Sequence, residues 1–326
     1  DRATLVNLVF SAILLISVYG LGVQLFSAEV GLWAAAICQL LPGLYQVRLD
    51  FLLDYPLTAI VTLCFWCLTV WKVRGERASL TPLESPLKGG KLGGARGSIN
   101  SSYPSGSLSG YIIHHSSFQS WLWAIASGIS LGLALLVKQT ALLFLLTPVL
   151  WVGVEAIRSR SLKRISQLIV GLLLSVAVFG PWYRTNWLLI LTSSKRATVD
   201  SALNEGDPAL NTLGAWTYYW QELPEQVSWL LLLVPIVGLL IYWGRSAKLG
   251  ATTERKRRIA NYQLPITKPL IWLATFWIGS YLLSSLNLNK DPRYVLPYLP
   301  VVSLFLAFGL TRWYGRSCKR IRWGTI

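Results

Sequence analysis

Nine stretches of this chain are apolar for long enough to cross a bilayer, and they leave little room for any other fold. They fall near 4–26, 29–47, 54–71, 121–137, 139–157, 165–187, 228–244, 269–287 and 295–313. A hydrocarbon core of about 30 Å takes about 20 residues of helix. Lipid offers the backbone no hydrogen-bond partners, so helices that satisfy their own groups are the expected form. The stretch from Trp121 to Ile157 is too long for one crossing, since as a single helix it would reach roughly 55 Å. It is therefore broken at Lys138-Gln139-Thr140. The expected fold is an all-α integral membrane bundle of about nine transmembrane helices. Composition agrees, because 53% of the residues are hydrophobic and 13% charged, too little polar surface to cover a soluble domain.

The net charge of +16 would suggest nucleic acid in a soluble protein. Here the basic residues gather in short loops between apolar runs, which is the mark of membrane orientation, and no nucleic-acid partner is expected. Segments 72–96, 158–164, 245–268 and 312–322 hold 22 of the 30 Lys and Arg residues. Those segments are assigned to the cytoplasm by the positive-inside rule, which puts residue 1 outside. The chain opens at Asp1 almost directly into a span and contains no Met. It is read as an internal fragment that lacks an upstream helix and the loop after it.

Residues 1–72 then carry the first three helices and an acidic extracytoplasmic loop, 119–187 the next three, and 228–326 the last three with a basic cytoplasmic tail. Between them, 73–118 is rich in Gly, Ser and Pro and is expected to be a disordered cytoplasmic linker, because it has little apolar surface to offset its ordering entropy. His114 and His115 in it have no Cys or carboxylate neighbours, so a solvated loop is expected rather than a metal site. The stretch 188–227 is assigned outside. Its second half mixes Trp216, Tyr218, Tyr219 and Trp220 with Glu222 and Glu225, as suits either an aromatic anchor in the headgroup layer or a wall of the substrate groove. Cys64 and Cys67 have redox-pair spacing but lie inside a span, where a buried structural role is expected. There is no glycine-rich phosphate loop and no dinucleotide fingerprint, so no soluble nucleotide is expected.

Five places carry charge at the ends of apolar runs: Arg48 with Asp50 and Asp54, Lys138, Arg184, Lys195 with Arg196, and the run from Asn289 to Tyr294. Charge within a helix in lipid costs roughly 2.5–3.5 kcal/mol per residue, so such groups are functional candidates. The assigned topology puts all five on the extracytoplasmic side. Asp54 is the candidate general base or stabiliser of positive charge on a sugar, with Asp50 as a less certain partner. Leu52, Leu53, Tyr55 and Leu57 disfavour its charged form, and Arg48 is expected to favour it. Asp54 with Pro56 also suits the first turn of a helix. Lys138, Arg184, Lys290 and Arg293, together with Tyr294, are candidates for holding a lipid-linked phosphate. Arg does so with a planar fork and Lys as a point charge, while snorkelling to headgroups is the ordinary alternative for each.

Four runs then resemble, in this order, the polyprenyl-phosphate-sugar glycosyltransferases of the protein mannosyltransferase and aminoarabinose transferase type. They are Arg48-Leu-Asp50-Phe-Leu-Leu-Asp54-Tyr-Pro56-Leu57, Gly132-Leu-Ala-Leu-Leu-Val-Lys138-Gln-Thr140, Gly180-Pro181-Trp182-Tyr183-Arg184-Thr-Asn186, and Asp291-Pro-Arg293-Tyr294-Val-Leu-Pro297. The resemblance implies a membrane fold with an extracytoplasmic active site. It also implies sugar transfer from an undecaprenyl- or dolichyl-phosphate donor to a protein, lipid or glycan acceptor in a bacterial inner membrane. By motif, Asp54 matches the family's second acidic position, Lys138 its span-end lysine, and Arg293-Tyr294 its late Arg-Tyr pair. The family's principal carboxylate lies in the first outer loop, upstream of Asp1, so the fragment as given is expected to be inactive. Metal dependence varies in such enzymes; the sequence shows no ligand cluster, and the cofactor stays unknown, with a divalent metal open. A lipid-linked oligosaccharide ligase or polymerase, a lipid-carrier transporter and a structural scaffold are the competing readings. The transporter should show mid-span ionisable groups and repeat symmetry, which are not evident.

Overall fold

The computed structural model describes residues 2–49, 52–80, 108–248 and 267–314. Asp50 lies outside them, as do 81–107, most of the basic stretch 245–268 and the tail beyond Tyr314. The regular elements among the described residues are all helices, without a strand. The main helices are α1 (Arg2–Leu25), α2 (Ala28–Leu40), α3 (Pro42–Leu49), α4 (Asp54–Leu80), α5 (Leu108–Val137), α6 (Ala141–Arg158) and α7 (Leu162–Lys195). After a π turn (Arg196–Asp200) come α8 (Ser201–Glu205), α9 (Leu213–Val227), α10 (Trp229–Lys248) and α11 (Thr267–Ser285). A 3₁₀ helix (Pro292–Tyr298) then leads into α12 (Leu299–Tyr314).

Local chemistry sets the starts and breaks. Ser27 caps α2 by accepting from the Val30 amide at 3.2 Å, satisfying one of the orphan donors of a helix start. Pro42 opens α3, where its missing N–H costs nothing, and α2 and α3 meet at a 60° bend. Ser161 caps α7 through the Arg164 amide. The predicted break at 138–140 is present: α5 stops at Val137 and α6 starts at Ala141, with the Ala141 amide donating to the Lys138 carbonyl at 3.0 Å. Within α7 the helix kinks at Asn186, five residues after Pro181, a kind of distortion for which proline is the usual cause.

All nine apolar runs fold as helix. Six helices are long and apolar enough to cross a membrane: Leu5–Leu25, Asp54–Glu76, Phe118–Val137, Ala141–Arg158, Leu162–Glu205 and Pro292–Arg312. Counting the bent pair Ala28–Leu40 and Pro42–Arg48 as one span makes seven. Among the described residues, length and apolarity thus support six or seven crossings of the nine expected. α11 is long enough, but Trp, Tyr, Ser and Thr interrupt its apolar residues. The chain is an integral membrane protein.

Helix also reaches into both ends of the stretch expected to be a linker, since α4 continues to Leu80 and α5 begins at Leu108. His114 and His115 fall on the first turns of α5.

Helices α4, α5, α6 and α7 run in alternating directions, as the contacts at their ends show. At one end, Tyr55 of α4 meets Ser11 of α1 through their hydroxyls at 2.8 Å, and the end of α5 meets the start of α4 through Lys138 and Asp54. At the other, Lys72 of α4 pairs with Glu76 and with Glu155 of α6 at 3.2 Å, and Arg164 of α7 pairs with Glu155 at 3.6 Å. Trp71 and Ser120 join Gln167 there by hydrogen bonds of 2.9 Å. Lys72, Arg158 and Arg164 make this the basic end; the first is the carboxylate end. α4 lies at the centre, packed by α1, α5, α6 and the 3₁₀ helix, and α5 runs along α7. That last crossing requires glycine, because a Cβ on Gly128 would collide with the Gly171 carbonyl, and small residues of this kind let membrane helices approach closely.

Candidate active site at the carboxylate end

Asp54 occupies the first turn of α4. The Leu57 amide closes that turn on the Leu53 carbonyl at 2.9 Å, and the Thr58 hydroxyl donates to the Asp54 carbonyl at 2.7 Å. The Asp54 side chain is only 8% exposed, and its Oδ1 lies 2.6 Å from Nζ of Lys138, which is 25% exposed. The same ammonium sits 4.6 Å from the centre of the Tyr294 ring, in reach of the ring's negative face. One cation is thus shared by a buried carboxylate and an aromatic face, with an open side left over.

The segment that brings Tyr294 there is pinned at several points. Asp291 accepts from the Arg293 amide at 2.8 Å and starts the 3₁₀ helix. Its oxygens also accept from Arg293 Nε at 3.0 and 2.9 Å and from Nη2. The Arg293 side chain is still 49% exposed, and the charge of Asp54 reaches it as well. Gln226 at the end of α9 donates to the Pro292 carbonyl at 2.7 Å, and Asn289 donates to the Ala197 carbonyl at 2.9 Å.

Lys290 is buried. Its ammonium donates to the carbonyls of Ser285 at 2.5 Å and Asn287 at 2.6 Å, closing the end of α11, while its amide donates to Asp207 at 2.8 Å. Burial pushes the Lys290 pKa down, and Asp207 opposes that shift. α9 lies alongside, with Trp220 against Trp277 and Tyr281 and the Tyr281 hydroxyl donating to the Trp216 carbonyl. Burial pushes Tyr218 up to about 12, with Glu222, Asp207, Asp291 and Glu205 adding to the rise.

The residues singled out from the sequence land in different places. Asp54, Lys138 and Tyr294 touch, and Arg293 stands next to them. Arg184 is exposed on α7 and belongs to the same end, because the neighbouring Tyr183 hydroxyl donates to the Leu135 carbonyl at 2.9 Å, three residues before Lys138. Lys290 faces backbone carbonyls, and Lys195 and Arg196 are exposed where α7 ends. Arg48 does not serve Asp54 as expected. Its guanidinium donates to Gln39 at 2.8 Å and stacks over Tyr45, so Lys138 is the cation that Asp54 meets. Sequence reasoning missed that pairing across 84 residues, and it missed Asp207, Gln226 and the Asp291 clamp. The spacing Asp291-Pro292-Arg293 was a usable signal for the clamp, as Asp before Pro caps a helix start. Among the described residues no group of three or more His, Cys, Asp or Glu is placed to hold a metal ion.

No protein-family model matches the sequence, and neither does any curated protein. In fold, the chain is similar to the crystal structure of ArnT from Cupriavidus metallidurans bound to undecaprenyl phosphate. The TM-score is 0.53 at 13% identity, over 98% of this chain and 48% of that one. The apo structure of the same protein gives 0.50 at 14% identity, over 98% and 46%. This chain therefore spans about half the length of those structures, and shares their fold over that half.

Proposed function

We propose that this protein is a membrane glycosyltransferase that moves a sugar from a polyprenyl-phosphate carrier to an acceptor on the extracytoplasmic face. The observation that carries the reading is the meeting of Asp54, Lys138, Tyr294 and Arg293 at the end of the bundle opposite the basic end. A buried carboxylate beside two partly open cations is what transfer from a phosphate-linked sugar needs. The carboxylate takes a proton from the acceptor or faces positive charge developing on the sugar, and the cations hold the phosphate as it leaves. Two further observations support it: the fold shared with ArnT, one structure of which is bound to undecaprenyl phosphate, and the order of the four motifs.

In this reading Arg293 grips phosphate oxygens with its planar fork, Lys138 adds a point charge, and Arg184 a third cation. Lys290 acts by holding the segment that presents Arg293 and Tyr294, and Asp50 stays the less certain partner of Asp54. The aromatic face of α9 borders the groove.

The test is transfer from a synthetic undecaprenyl-phosphate sugar by the purified full-length protein, with donor and acceptor titrated separately. Asp54→Asn should lower kcat, since it removes a group acting in the transition state. Arg293→Ala should raise the donor requirement, a loss of about 2–5 kcal/mol where a charge contact is left without its partner, and Arg293→Lys should recover part of it. Wild-type kinetics from both folded variants would contradict the assignment.

A further inference from the structure

The two cations best placed for a phosphate are both already occupied, and by carboxylates. Lys138 is on Asp54 Oδ1 at 2.6 Å, and Arg293 is on both oxygens of Asp291. In each pair the carboxylate is the buried partner, 8% and 15% exposed, and the cation is the open one, 25% and 49% exposed. An anion arriving from outside therefore meets the cations first. We infer that these ion pairs are an exchange device: the donor phosphate takes Lys138 and Arg293 from Asp54 and Asp291, so Asp54 is released for chemistry only once the lipid phosphate is in place. The inference rests on the function proposed above and adds an order to it, donor before acceptor.

The exchange adds the charge of the phosphate to a neutral set, so the released Asp54 is an anion without its cation, which favours its taking a proton from the acceptor. Before binding, the two largely buried carboxylates neutralise two partly open cations. On binding, the phosphate oxygens replace carboxylate oxygens on the same nitrogens. The Tyr294 ring keeps Lys138 near its place while the partner changes, because the cation–π contact does not depend on which anion is bound. Asp291 keeps its position for a separate reason, as its Oδ1 also accepts from the Arg293 amide.

Competition of this kind has an outcome that a plain phosphate site lacks. Removing a carboxylate should tighten phosphate binding. In the purified full chain in nanodiscs, Asp54→Asn and Asp291→Asn should each bind undecaprenyl phosphate more tightly than wild type, by about 2- to 6-fold if each pair is worth about 0.5–1 kcal/mol. Lys138→Gln and Arg293→Gln should bind it more weakly. The gain from Asp54→Asn should vanish in the Lys138→Gln background, the signature of two residues that act through each other. Inorganic phosphate should show the same order at weaker affinity, because the headgroup makes the exchange; a gain confined to the lipid would place the effect in the tail and overturn the inference. Thermal unfolding of each variant shows that it is folded. If the Lys and Arg variants weaken binding but both Asn variants bind as wild type does or worse, the carboxylates do not compete and the inference falls while the proposed function stands. If none of the four moves the affinity, the phosphate site falls with it.

Discussion

Lys138 reaches Asp54 because α5 stops one residue before it. In a continuous helix its side chain would follow the helix surface; at the three-residue break it turns into the bundle, with its ammonium between Asp54 and Tyr294. Lys138→Met therefore leaves a carboxylate that is 8% exposed without its donor, and a buried group left unsatisfied costs about 1–3 kcal/mol. Equilibrium unfolding in mild detergent should show a loss of that order. Tyr294→Phe should be close to neutral by the same measurement, since the ring face remains, and Tyr294→Ala should cost about 0.5–2 kcal/mol. The candidate residues were legible one at a time, since each is a charge where charge is expensive. Their partners were not. Asp54 and Lys138 are 84 residues apart, and nothing in the local pattern separates Lys138 from Arg48 as the cation that Asp54 meets.

Helix by helix, apolar length placed the elements well and their ends poorly. The break at 138–140 followed from length alone, because no bilayer accommodates a single helix from Trp121 to Ile157. The ends drifted where good helix formers continue past the apolar run. α4 extends through Arg74, Glu76, Arg77 and Ala78 to Leu80, and α7 extends past its kink to Lys195. Polar residues such as Arg74, Glu76 and Ser193 end the apolar pattern without ending the helix, so hydropathy does not mark these ends, whereas the kink at Asn186 comes after a proline that the sequence does show. Arg74 donates to Gln119 at 2.6 Å, which ties the flanks of the intervening segment together at the basic end, away from the Asp54 cluster. Replacing residues 81–107 with a short flexible loop should therefore leave sugar transfer within a few-fold of wild type. Loss of transfer from a normally inserted variant would show that the segment takes part in the reaction.

Across the whole molecule, the two ends are built for different purposes. At the basic end, Lys72, Glu76, Glu155 and Arg164 bind one another. At the other, carboxylates and cations from three separate stretches of sequence, around Asp54, Lys138 and Asp291 to Tyr294, meet at Lys138. The length of α4, which starts at Asp54 and carries Lys72 about five turns on, keeps the two ends apart. The central claim is that the Asp54 end faces away from the cytoplasm, where a lipid-phosphate sugar is taken up and its sugar passed on. It is tested most directly by single-cysteine labelling with an impermeant maleimide in intact cells, in a background with Cys38, Cys64, Cys67 and Cys318 replaced. A cysteine at Glu205 or Leu213, on the segments that cover the carboxylate end, should label from outside, and a cysteine at Asn100 only after the cells are opened. Labelling of position 100 from outside, with 205 and 213 protected, would invert the molecule and contradict the account.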